Sequence, residues 1–462
     1  GGLRWQFAHD KLRESLLREL NELTRLTFHA QIGAAIEQVY AADLTPHYAD
    51  LAYHYGQAQQ VEQERRYARL AGEQAAAQFA NGPALTYFNR ALALTPPNDH
   101  AERFALHLAR EQVYDRQGAR TEQQQDLVAL QALAETLDVR ARALVATRQA
   151  NYAEATSAFP AAIQAGESAM QLAQQSGERA SEAFGALYMG RAYWRIGHYP
   201  VAFQRLATAA QLAQANGLLA LEAECLRIMG VVANEKGDYA EAKVHFAQAQ
   251  QRFQQLGDRY GEGRVLGSLG VTMYREGDYA NARIALEDAI RLYQMIGDRR
   301  NECTILNNLG LVHDCRGDYV RAQHCYEDLL IISQEIGNRQ IEATGYGNLG
   351  ALLDAQGDYE RARQHFEQSL QLRRAIGDQQ GEVDSLHSLA LLHHHLGDNI
   401  TAVNYGRQAV QLAEAIEAKH DGASAWTFLG HALTELKEWA EATTCYEQAL
   451  RMRQAMGEQN LV

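Results

Sequence analysis

The chain has 462 residues, of which 47% are hydrophobic and 22% charged, and its formal net charge is −14 at pH 7. This acidic balance argues against wrapping DNA or RNA, because phosphate binding depends on clustered Lys and Arg side chains. No apolar run approaches the length of a bilayer-spanning helix, so we expect neither a nucleic-acid partner nor a membrane partner.

The cysteines indicate a reducing compartment. They number five, an odd total, and stand at Cys225, Cys303, Cys315, Cys325 and Cys445. No Cys-x-x-Cys pair occurs, so neither a disulfide framework nor a zinc site is indicated. We therefore expect a cytoplasmic protein with no metal and no cofactor.

In chain order, three regions differ in pattern. Residues 1–45 contain amphipathic helical segments, including one from Phe28 to Tyr40. Residues 46–149 continue as helical hairpins without a fixed period and are predicted to form a connector. Residues 150–462 are predicted to form a repeat array, with regular units from about residue 178.

A glycine returns every 40 residues in the last region, usually within Gly-Asp-Tyr. It stands at Gly197, Gly237, Gly277, Gly317, Gly357 and Gly397. A fixed period of this length predicts a solenoid, whose units bury their apolar faces only by stacking. Stacking produces an extended surface, so a binding function is expected before a catalytic one.

The sequence pattern within each 40-residue unit predicts two antiparallel helices. The segment between Gly257 and Gly277 has apolar residues at helical spacing, and so has the segment between Gly277 and Gly297. We name these segments helix A and helix B. Each is expected to run for about 16 to 18 residues and to stop at a glycine.

Small residues also return at fixed positions within the helices. Helix A carries Gly230, Gly270, Gly310, Gly350 and Gly430, with Ala390 as the one substitute. Helix B carries Ala242, Ala282, Ala322, Ala362, Ala402 and Ala442. A glycine inside a helix costs about 1 kcal/mol relative to alanine, so its regular return predicts a close crossing of the two helices.

A row of carboxylates marks the start of helix A. It consists of Glu182, Glu222, Glu262, Glu302, Glu342 and Glu382. One interpretation is a cation or peptide site. The favoured one is structural: each Glu complements the helix N-terminus or pairs with an Arg three residues earlier, such as Arg299 or Arg339.

Several of these residues form a known pattern. Leu269-Gly270, Gly277-x-Tyr279, Ala282 and Ala289 match the Leu-Gly, Gly-x-Tyr, Ala and Ala of tetratricopeptide repeats. Residues 178–462 thus resemble tetratricopeptide-repeat proteins, and the 40-residue spacing looks like the longer repeats of the LGN/Pins adaptors. The resemblance implies an all-α fold, a right-handed α-solenoid of antiparallel helix pairs. It does not identify a ligand, because this scaffold serves unrelated partners.

Residues 3–95 carry a second resemblance. The matching positions are Phe7, His9, Asp10, Leu16, Leu17, His29, Ile36 and 51–55. They are similar to the stretch that follows the nucleotide-binding core of STAND-type signal-transduction ATPases, where the end of a winged-helix region leads through a connector into a repeat sensor. The resemblance implies a nucleotide-binding module ahead of Gly1, because no phosphate-loop motif occurs in this sequence.

Catalytic and metal-binding motifs are not apparent. His393, His394 and His395 are consecutive, so in a helix they project about 100 degrees apart and do not converge on one ion. His387 and His394 share a face but have no further ligands at suitable spacing. We expect no enzyme activity in this chain, and any ATPase activity would belong to the missing module.

The repeat register predicts which residues face a ligand. In each helix A, the residue after the Leu-Gly pair and those one turn earlier or later line the concave side. The predicted positions are Arg191, Arg227, Val231, Asn234, Val271, Tyr274, Asn307, Leu311, Asp314, Ala351, Asp354, His387, Leu391, His394 and His431. An alternative left open is that the apolar members only complete packing between successive A helices.

Two functions are consistent with these observations. The favoured one is the ligand-sensing, autoinhibitory domain of a STAND-type ATPase, which binds a protein or peptide inducer in its concave groove. The alternative is a stand-alone repeat scaffold that mediates protein–protein interaction.

Overall fold

The computed structural model describes residues 21–455 of the chain. Within that range every regular element is helical, and 22 α-helices follow one another through short turns. The chain divides into two compact units, here called the first unit, Gly1–Cys225, and the second unit, Leu226–Val462. The all-α solenoid expected from the repeat is confirmed.

The helices that begin in the first unit are α1 (Glu22–Val39), α2 (Tyr48–Gln57), α3 (Val61–Ala77), α4 (Asn81–Leu94), α5 (His100–Gln117), α6 (Arg120–Ala134), α7 (Val139–Ala155), α8 (Phe159–Ser176), α9 (Arg179–Arg195), α10 (Tyr199–Ala215) and α11 (Leu219–Glu235). The second unit continues with α12 (Tyr239–Leu256), α13 (Arg259–Glu276), α14 (Tyr279–Ile296), α15 (Arg299–Cys315), α16 (Tyr319–Glu335), α17 (Arg339–Ala355), α18 (Tyr359–Ile376), α19 (Gln379–His395), α20 (Asn399–Ala415), α21 (Lys419–Glu435) and α22 (Trp439–Ala455).

Some sequence expectations fall outside the described residues. The motif residues Phe7, His9, Asp10, Leu16 and Leu17 belong to this group. The domain boundaries expected near residues 45 and 149 remain predictions.

The Gly-Asp dipeptide explains where the regular helices stop and start. Gly277 ends α13 with a left-handed backbone, at a φ of 86 degrees, which glycine adopts at little cost. The next residue, Asp278, caps α14, because its carboxylate accepts a hydrogen bond from the backbone N–H of Asn281 at 3.2 Å. The predicted helix pair between Gly257 and Gly297 is therefore confirmed.

The helix-A glycines lie against large side chains of helix B. A Cβ atom added at Gly270 would lie 2.5 Å from Cγ of Leu286, and one added at Gly230 would lie 2.6 Å from Cε1 of Phe246. Such distances are below van der Waals contact, so no side chain fits there without displacing the neighbour. The close crossing predicted from the sequence is confirmed.

One hairpin carries its glycine on helix B instead of helix A. Helix B usually places a large residue 16 positions after the helix-A glycine, as Phe366 does after Gly350. In the hairpin of α19 and α20, alanine stands at Ala390 and glycine at Gly406. In this hairpin the glycine therefore stands on helix B, and the alanine that replaces it on helix A, Ala390, is fully buried.

The row of glutamates at the start of helix A is structural. Glu302 accepts hydrogen bonds from Arg299, three residues earlier, at 2.8 Å, and from the amide of Gln294 at 2.8 Å. Its side chain is 3% exposed. Glu342 repeats both contacts, with Arg339 and Gln334. At these two positions the expected Arg partner is confirmed, and the Gln eight residues earlier is an additional partner that the sequence reasoning missed. Glu382 pairs instead with Arg374, eight residues earlier.

The first unit buries charged groups in its interior. Glu111 on α5 is fully buried, and Arg148 on α7 donates to both of its carboxylate oxygens, at 2.7 and 3.0 Å. Asp126 on α6 is 1% exposed and contacts both His107 and Arg110. The Glu111–Arg148 pair joins two neighbouring hairpins of the first unit, whereas the contacts of Asp126 join the two helices of one hairpin.

Tyrosines and histidines provide similar contacts nearer the start. Glu37 on α1 accepts hydrogen bonds from the hydroxyls of Tyr55 and Tyr67. Burial, together with the bond to Glu37, raises the pKa of Tyr67 to about 12. Nδ1 of His29 lies 2.8 Å from Nδ1 of His54, so one ring donates a hydrogen bond and the other accepts it.

Candidate ligand-binding face

The predicted binding residues all lie on A helices, between α9 and α21. Asn234 is buried, Ala351 and His431 are exposed, and the other twelve are half-buried. Arg191 belongs to the first unit, where it pairs with Glu154 at 3.0 Å. The remaining fourteen, from Arg227 to His431, lie on the A helices of the second unit, which we call the helix-A face.

A first pocket opens on this face beside Gly267. It has a volume of about 300 Å³ and includes four of the predicted residues. It is lined by Arg227, Val231, Asn234, Glu235, Phe246, Arg264, Gly267, Ser268, Val271, Arg275, Tyr293, Asn301, Thr304, Ile305 and Asn308. We call this the Gly267 pocket; its walls come mainly from α11, α13 and α15.

The Gly267 pocket combines an apolar floor with polar and basic walls. Val231, Val271 and Ile305 supply the apolar surface. Arg275 pairs with Glu235 at 3.2 Å on its rim. These groups provide an apolar contact and charged contacts within one small volume.

Asn234 is the most deeply buried polar side chain in this wall. It is 7% exposed, and its Oδ1 atom has no hydrogen-bond partner among the described residues. A buried amide oxygen without a partner is costly, so this atom is suited to accept a hydrogen bond from a bound ligand.

A second pocket opens beside Gly347. It has a volume of about 550 Å³ and includes Ala351 from the predicted set. It is lined by Gln340, Thr344, Gly347, Asn348, Ala351, Phe366, Arg373, Asp378, Gln380, Gly381, Asp384, Ser385 and Ser388. We call this the Gly347 pocket; sequence reasoning missed most of its lining.

Arg373 is the main missed residue. It lies on α18, at the position that Phe253 and Tyr293 occupy in earlier units. Its guanidinium donates to Asp384 at 3.3 Å, and its side chain is 11% exposed. A Cβ atom at position 381 would overlap the guanidinium, so Gly381 leaves the room that Arg373 occupies.

The two pockets occupy the same place in the repeat. Nine of their lining positions recur 80 residues apart, which is two repeat units. The pairs are Arg264 and Thr344, Gly267 and Gly347, Ser268 and Asn348, Val271 and Ala351, Tyr293 and Arg373, Asn301 and Gly381, Thr304 and Asp384, Ile305 and Ser385, and Asn308 and Ser388.

A missing side chain helps to open the Gly347 pocket, whereas at Gly267 an added Cβ atom would lie 2.7 Å from Cδ1 of Ile305, which occupies that space. At Gly347, an added Cβ atom would meet only the Ser369 hydroxyl, at 3.6 Å, so the space beside it is open. The helices between and after them carry Asn307 and His387 at the same position. Asn307 is engaged, because its Oδ1 accepts a hydrogen bond from Asn348 at 2.5 Å.

The predicted residues between the two pockets make local contacts. The hydroxyl of Tyr274 lies 3.4 Å from Sγ of Cys315, and this contact, together with burial, raises the pKa of Tyr274 to about 12. Burial raises the pKa of Asp314. Leu311 is half-buried beside them.

The three predicted or neighbouring histidines of α19 make different contacts. His387 and His394 share a face, as expected, and both present a ring edge-on to Phe428, with ring centroids 5.4 and 6.0 Å away. His395 instead contacts Asp354 at 3.0 Å, on the preceding A helix.

The remaining predicted residues lie beside them. Leu391 packs against the core cluster of the later hairpins. His431 contacts the ring of Tyr446, with centroids 5.5 Å apart.

A larger cavity in the first unit has a different character. Its volume is about 820 Å³, and two of its three arginines are already paired with carboxylates. Arg65 contacts Glu62 at 2.6 Å, and Arg69 contacts Glu102 at 2.7 Å. Because its charges are balanced by neighbouring side chains, this cavity has no distinct preference for a charged ligand.

Among the residues that the structure describes, no group of three or more His, Cys, Asp or Glu side chains is arranged to hold a metal ion. Burial raises the pKa of the Cys303 and Cys445 thiols to about 11, which disfavours the nucleophilic thiolate. In residues 21–455, no helix combines the length and the apolar character needed to span a bilayer.

Comparison with known families gives a match in the later part of the chain. A family model described as "Tetratricopeptide repeat" matches residues 222–295, 301–375 and 382–455. No curated protein sequence matches the chain.

Solved structures share the fold at low sequence identity. Apo RapI is 12% identical, with a TM-score of 0.59, over 78% of this chain and 99% of its own. A STAND protein with a tetratricopeptide repeat sensor from Pyrococcus horikoshii is 12% identical, with a TM-score of 0.52, over 99% of this chain and 67% of its own. The apo quorum sensor NprR from B. thuringiensis is 13% identical, with a TM-score of 0.53, over 77% of this chain and 99% of its own.

Proposed function

Because tetratricopeptide repeats are matched at residues 222–295, 301–375 and 382–455, we propose that the second unit of this chain binds a protein or peptide segment along the helix-A face. This binding regulates a nucleotide-binding module of the same polypeptide in the cytoplasm. The chain is then the inducer sensor of a STAND-type ATPase, and without inducer it holds the ATPase in an inactive state.

The observation that carries the binding role is the pair of equivalent pockets on one face. An elongated ligand contacts repeated, equally oriented sites, and a peptide has side chains at regular intervals that suit them. Asn234 adds a buried acceptor that a peptide N–H satisfies.

The regulatory role is supported by the extent of the structural likeness. The STAND protein with a repeat sensor aligns with 99% of this chain, including the irregular hairpins of the first unit. For binding to regulate a second module, the inducer must bind one state of the protein more tightly than the other.

The stand-alone scaffold remains the second candidate. It is favoured by the likeness to RapI, because nearly the whole of that chain, 99%, aligns with this one. Sequencing the native gene upstream of Leu3 separates the two candidates. An in-frame phosphate-loop motif supports the sensor, and a start codon next to Leu3 contradicts it.

Binding on the helix-A face is tested with a phage-displayed library of random 12-residue peptides, selected on the full chain. Val271→Glu and Leu311→Glu place a carboxylate on the apolar part of this face. We expect each to reduce capture of the selected peptides at least tenfold, because burying a charge against an apolar contact is unfavourable. Circular dichroism and melting should stay close to wild type.

Val244→Glu is the matched control. Val244 is 56% exposed on helix B and lines neither pocket. We expect this variant to capture the same peptides as wild type. Equal capture by Val271→Glu and Leu311→Glu would place the binding site elsewhere.

A further inference from the structure

The two equivalent pockets differ in size. The Gly267 pocket has a volume of about 300 Å³, whereas the Gly347 pocket has a volume of about 550 Å³. Each opens beside a glycine of one A helix and extends to the next A helix, so the repeat geometry is the same in both. The difference in size therefore comes from side chains that differ at equivalent positions.

One equivalent position accounts for much of the difference. Ile305 on α15 and Ser385 on α19 are both buried, at 5% and 3% exposure. Cδ1 of Ile305 lies 2.7 Å from the point where a Cβ atom of Gly267 would stand, so the isoleucine fills the space beside that glycine. Ser385 is too short to do the same. Among the described residues, only the Ser369 hydroxyl, at 3.6 Å, lies close to the corresponding point of Gly347.

Two further lining positions change in the same direction. Val271 of the smaller pocket corresponds to Ala351 of the larger one, so a side chain is shortened. Tyr293 corresponds to Arg373, so an aromatic ring is replaced by a guanidinium. Together with the exchange of isoleucine for serine, these changes make the Gly347 pocket both roomier and more polar than the Gly267 pocket.

The polar wall of the Gly347 pocket favours an uncharged ligand group. Arg373 pairs with Asp384 at 3.3 Å, and Asp378 accepts a hydrogen bond from the backbone N–H of Gly381 at 3.0 Å. A ligand cation would approach a guanidinium here, and a ligand anion would approach two carboxylates. Nε of Arg373 is a buried donor without a partner among the described residues, and a neutral ligand oxygen satisfies it.

The separation of the pockets fits a short peptide. Successive A helices are in direct contact from α13 to α15 and from α15 to α17. Packed helices lie about 9 Å apart, so the pockets are on the order of 20 Å apart, and an extended peptide advances about 3.3 Å per residue. Side chains about six residues apart therefore reach both pockets.

We propose that the helix-A face selects a peptide with a small aliphatic side chain in the Gly267 pocket and a long, uncharged, oxygen-bearing side chain, such as Gln or Tyr, in the Gly347 pocket. Ile305 and Ser385 set this difference, and the order of the two side chains fixes the direction in which the peptide lies. This proposal rests on the proposed peptide-binding function and adds the ligand's size pattern and direction to it.

The test uses the peptides that the 12-residue library yields on the wild-type chain. We expect a small aliphatic position and a position occupied by Gln or Tyr, about six residues apart and always in the same order. In fluorescence polarisation, the most enriched peptide should bind about tenfold more tightly than the same peptide with these two residues exchanged, because the larger side chain overpacks the smaller pocket. Equal affinity for the two peptides would overturn the proposal.

Gly347→Leu fills the larger pocket from its open side. Because a Cβ atom there meets only the Ser369 hydroxyl, and leucine favours a helix more than glycine does, this variant should melt no lower than wild type. We expect it to lose the Gln or Tyr preference and to bind the most enriched peptide about tenfold more weakly. Gly82→Leu is the matched control, since its Cβ atom also meets open space and it lines neither pocket. It should bind the peptide as wild type does.

Ile305→Ala enlarges the smaller pocket. It removes the atoms that fill the space beside Gly267, so selection on this variant should admit Gln or Tyr at the position that wild type restricts to small aliphatic residues. Ser385→Ile makes the opposite change and should restrict the other position to small residues. Both positions are buried. If either variant fails to fold, Gly347→Leu still decides whether the larger pocket selects its residue by size.

The outcomes separate this proposal from the function on which it rests. Peptides enriched without a fixed order of small and large residues, and lost on Val271→Glu, contradict the size proposal and leave peptide binding standing. A size pattern that Gly347→Leu leaves unchanged contradicts the assignment of the larger residue to the Gly347 pocket. Failure to enrich any peptide contradicts both proposals.

Discussion

The two units share one kind of helix contact and differ in another. In both units, a glycine lies against a large side chain of the next helix, as Gly72 does against Phe88 and Gly270 against Leu286. In the first unit, hairpins are also joined by buried, hydrogen-bonded charges such as Glu111 with Arg148. The glycine contact can repeat in every unit, whereas an ion pair is specific to its two partners. The residues that such pairs join therefore follow no period.

The largest expected effect tests the first unit. Arg148→Met should destabilise it by about 3 to 5 kcal/mol, because Glu111 keeps its charge in a fully buried position without its partner. Hydrogen–deuterium exchange in α5 and α7 measures the change locally. The double variant Glu111→Leu/Arg148→Met should recover most of the loss, since both charges are then gone.

A surface ion pair of the second unit is the control for this prediction. Arg407 pairs with Glu441 at 2.8 Å, and both side chains are about half exposed. Arg407→Met should change stability by less than about 1 kcal/mol, because solvent screens the pair. A similar loss for Arg148→Met and Arg407→Met would mean that the buried pair is not what joins the first unit.

An intermediate effect tests the glycine contacts of the second unit. Gly310→Ala places a methyl group against the ring of Tyr326 and should cost about 1 to 3 kcal/mol through overpacking. Urea unfolding measures the change. Gly82→Ala is the control, because a Cβ atom there would meet open space. An unchanged urea midpoint for Gly310→Ala would contradict the prediction, because it would show that the two helices move apart to accommodate the methyl group.

The smallest expected effect is a gain. Lys437 has a left-handed backbone, with a φ of 63 degrees, at the turn position where Gly397 stands one unit earlier. Lys437→Gly should stabilise the α21–α22 hairpin by about 1 kcal/mol, because a side chain is disfavoured in that conformation. Gly397→Ala should lose a similar amount. A lower melting temperature for Lys437→Gly, or a higher one for Gly397→Ala, would contradict the explanation.

The sequence predicted the fold of the second unit closely because each period carries its own turn and cap. Gly277 and Asp278 mark the end of one helix and the start of the next without any tertiary information. The buried pairs of the first unit were not predictable. Glu111 and Arg148 are 37 positions apart and match no repeated pattern, so only the folded chain shows that they meet.

The candidate site was predictable only in part. Register placed Val231 and Val271 on the face that the Gly267 pocket occupies. It did not identify Arg373, because the prediction followed helix A and this residue lies on helix B. The position carried no usable signal, because it varies from unit to unit, from Phe253 and Tyr293 to Ser333. Gly267 and Gly347 stand one turn before the residue that follows the Leu-Gly pair, so register predicts that they face the groove. A glycine, however, offers no side chain to propose as a ligand contact.

The exchange between Ala390 and Gly406 has a consequence for folding fidelity. Hairpins with similar surfaces can pair with the wrong neighbour, as in domain swapping between copies of a repeat. Helix α19 presents Ala390, whose methyl group would meet the ring of Phe366 if α18 took the place of α20. Helix α20 presents Gly406, which would leave a void against the glycine of another helix A. We therefore expect this hairpin to pair with its own partner rather than with another helix, which would protect the order of units along the chain at that point.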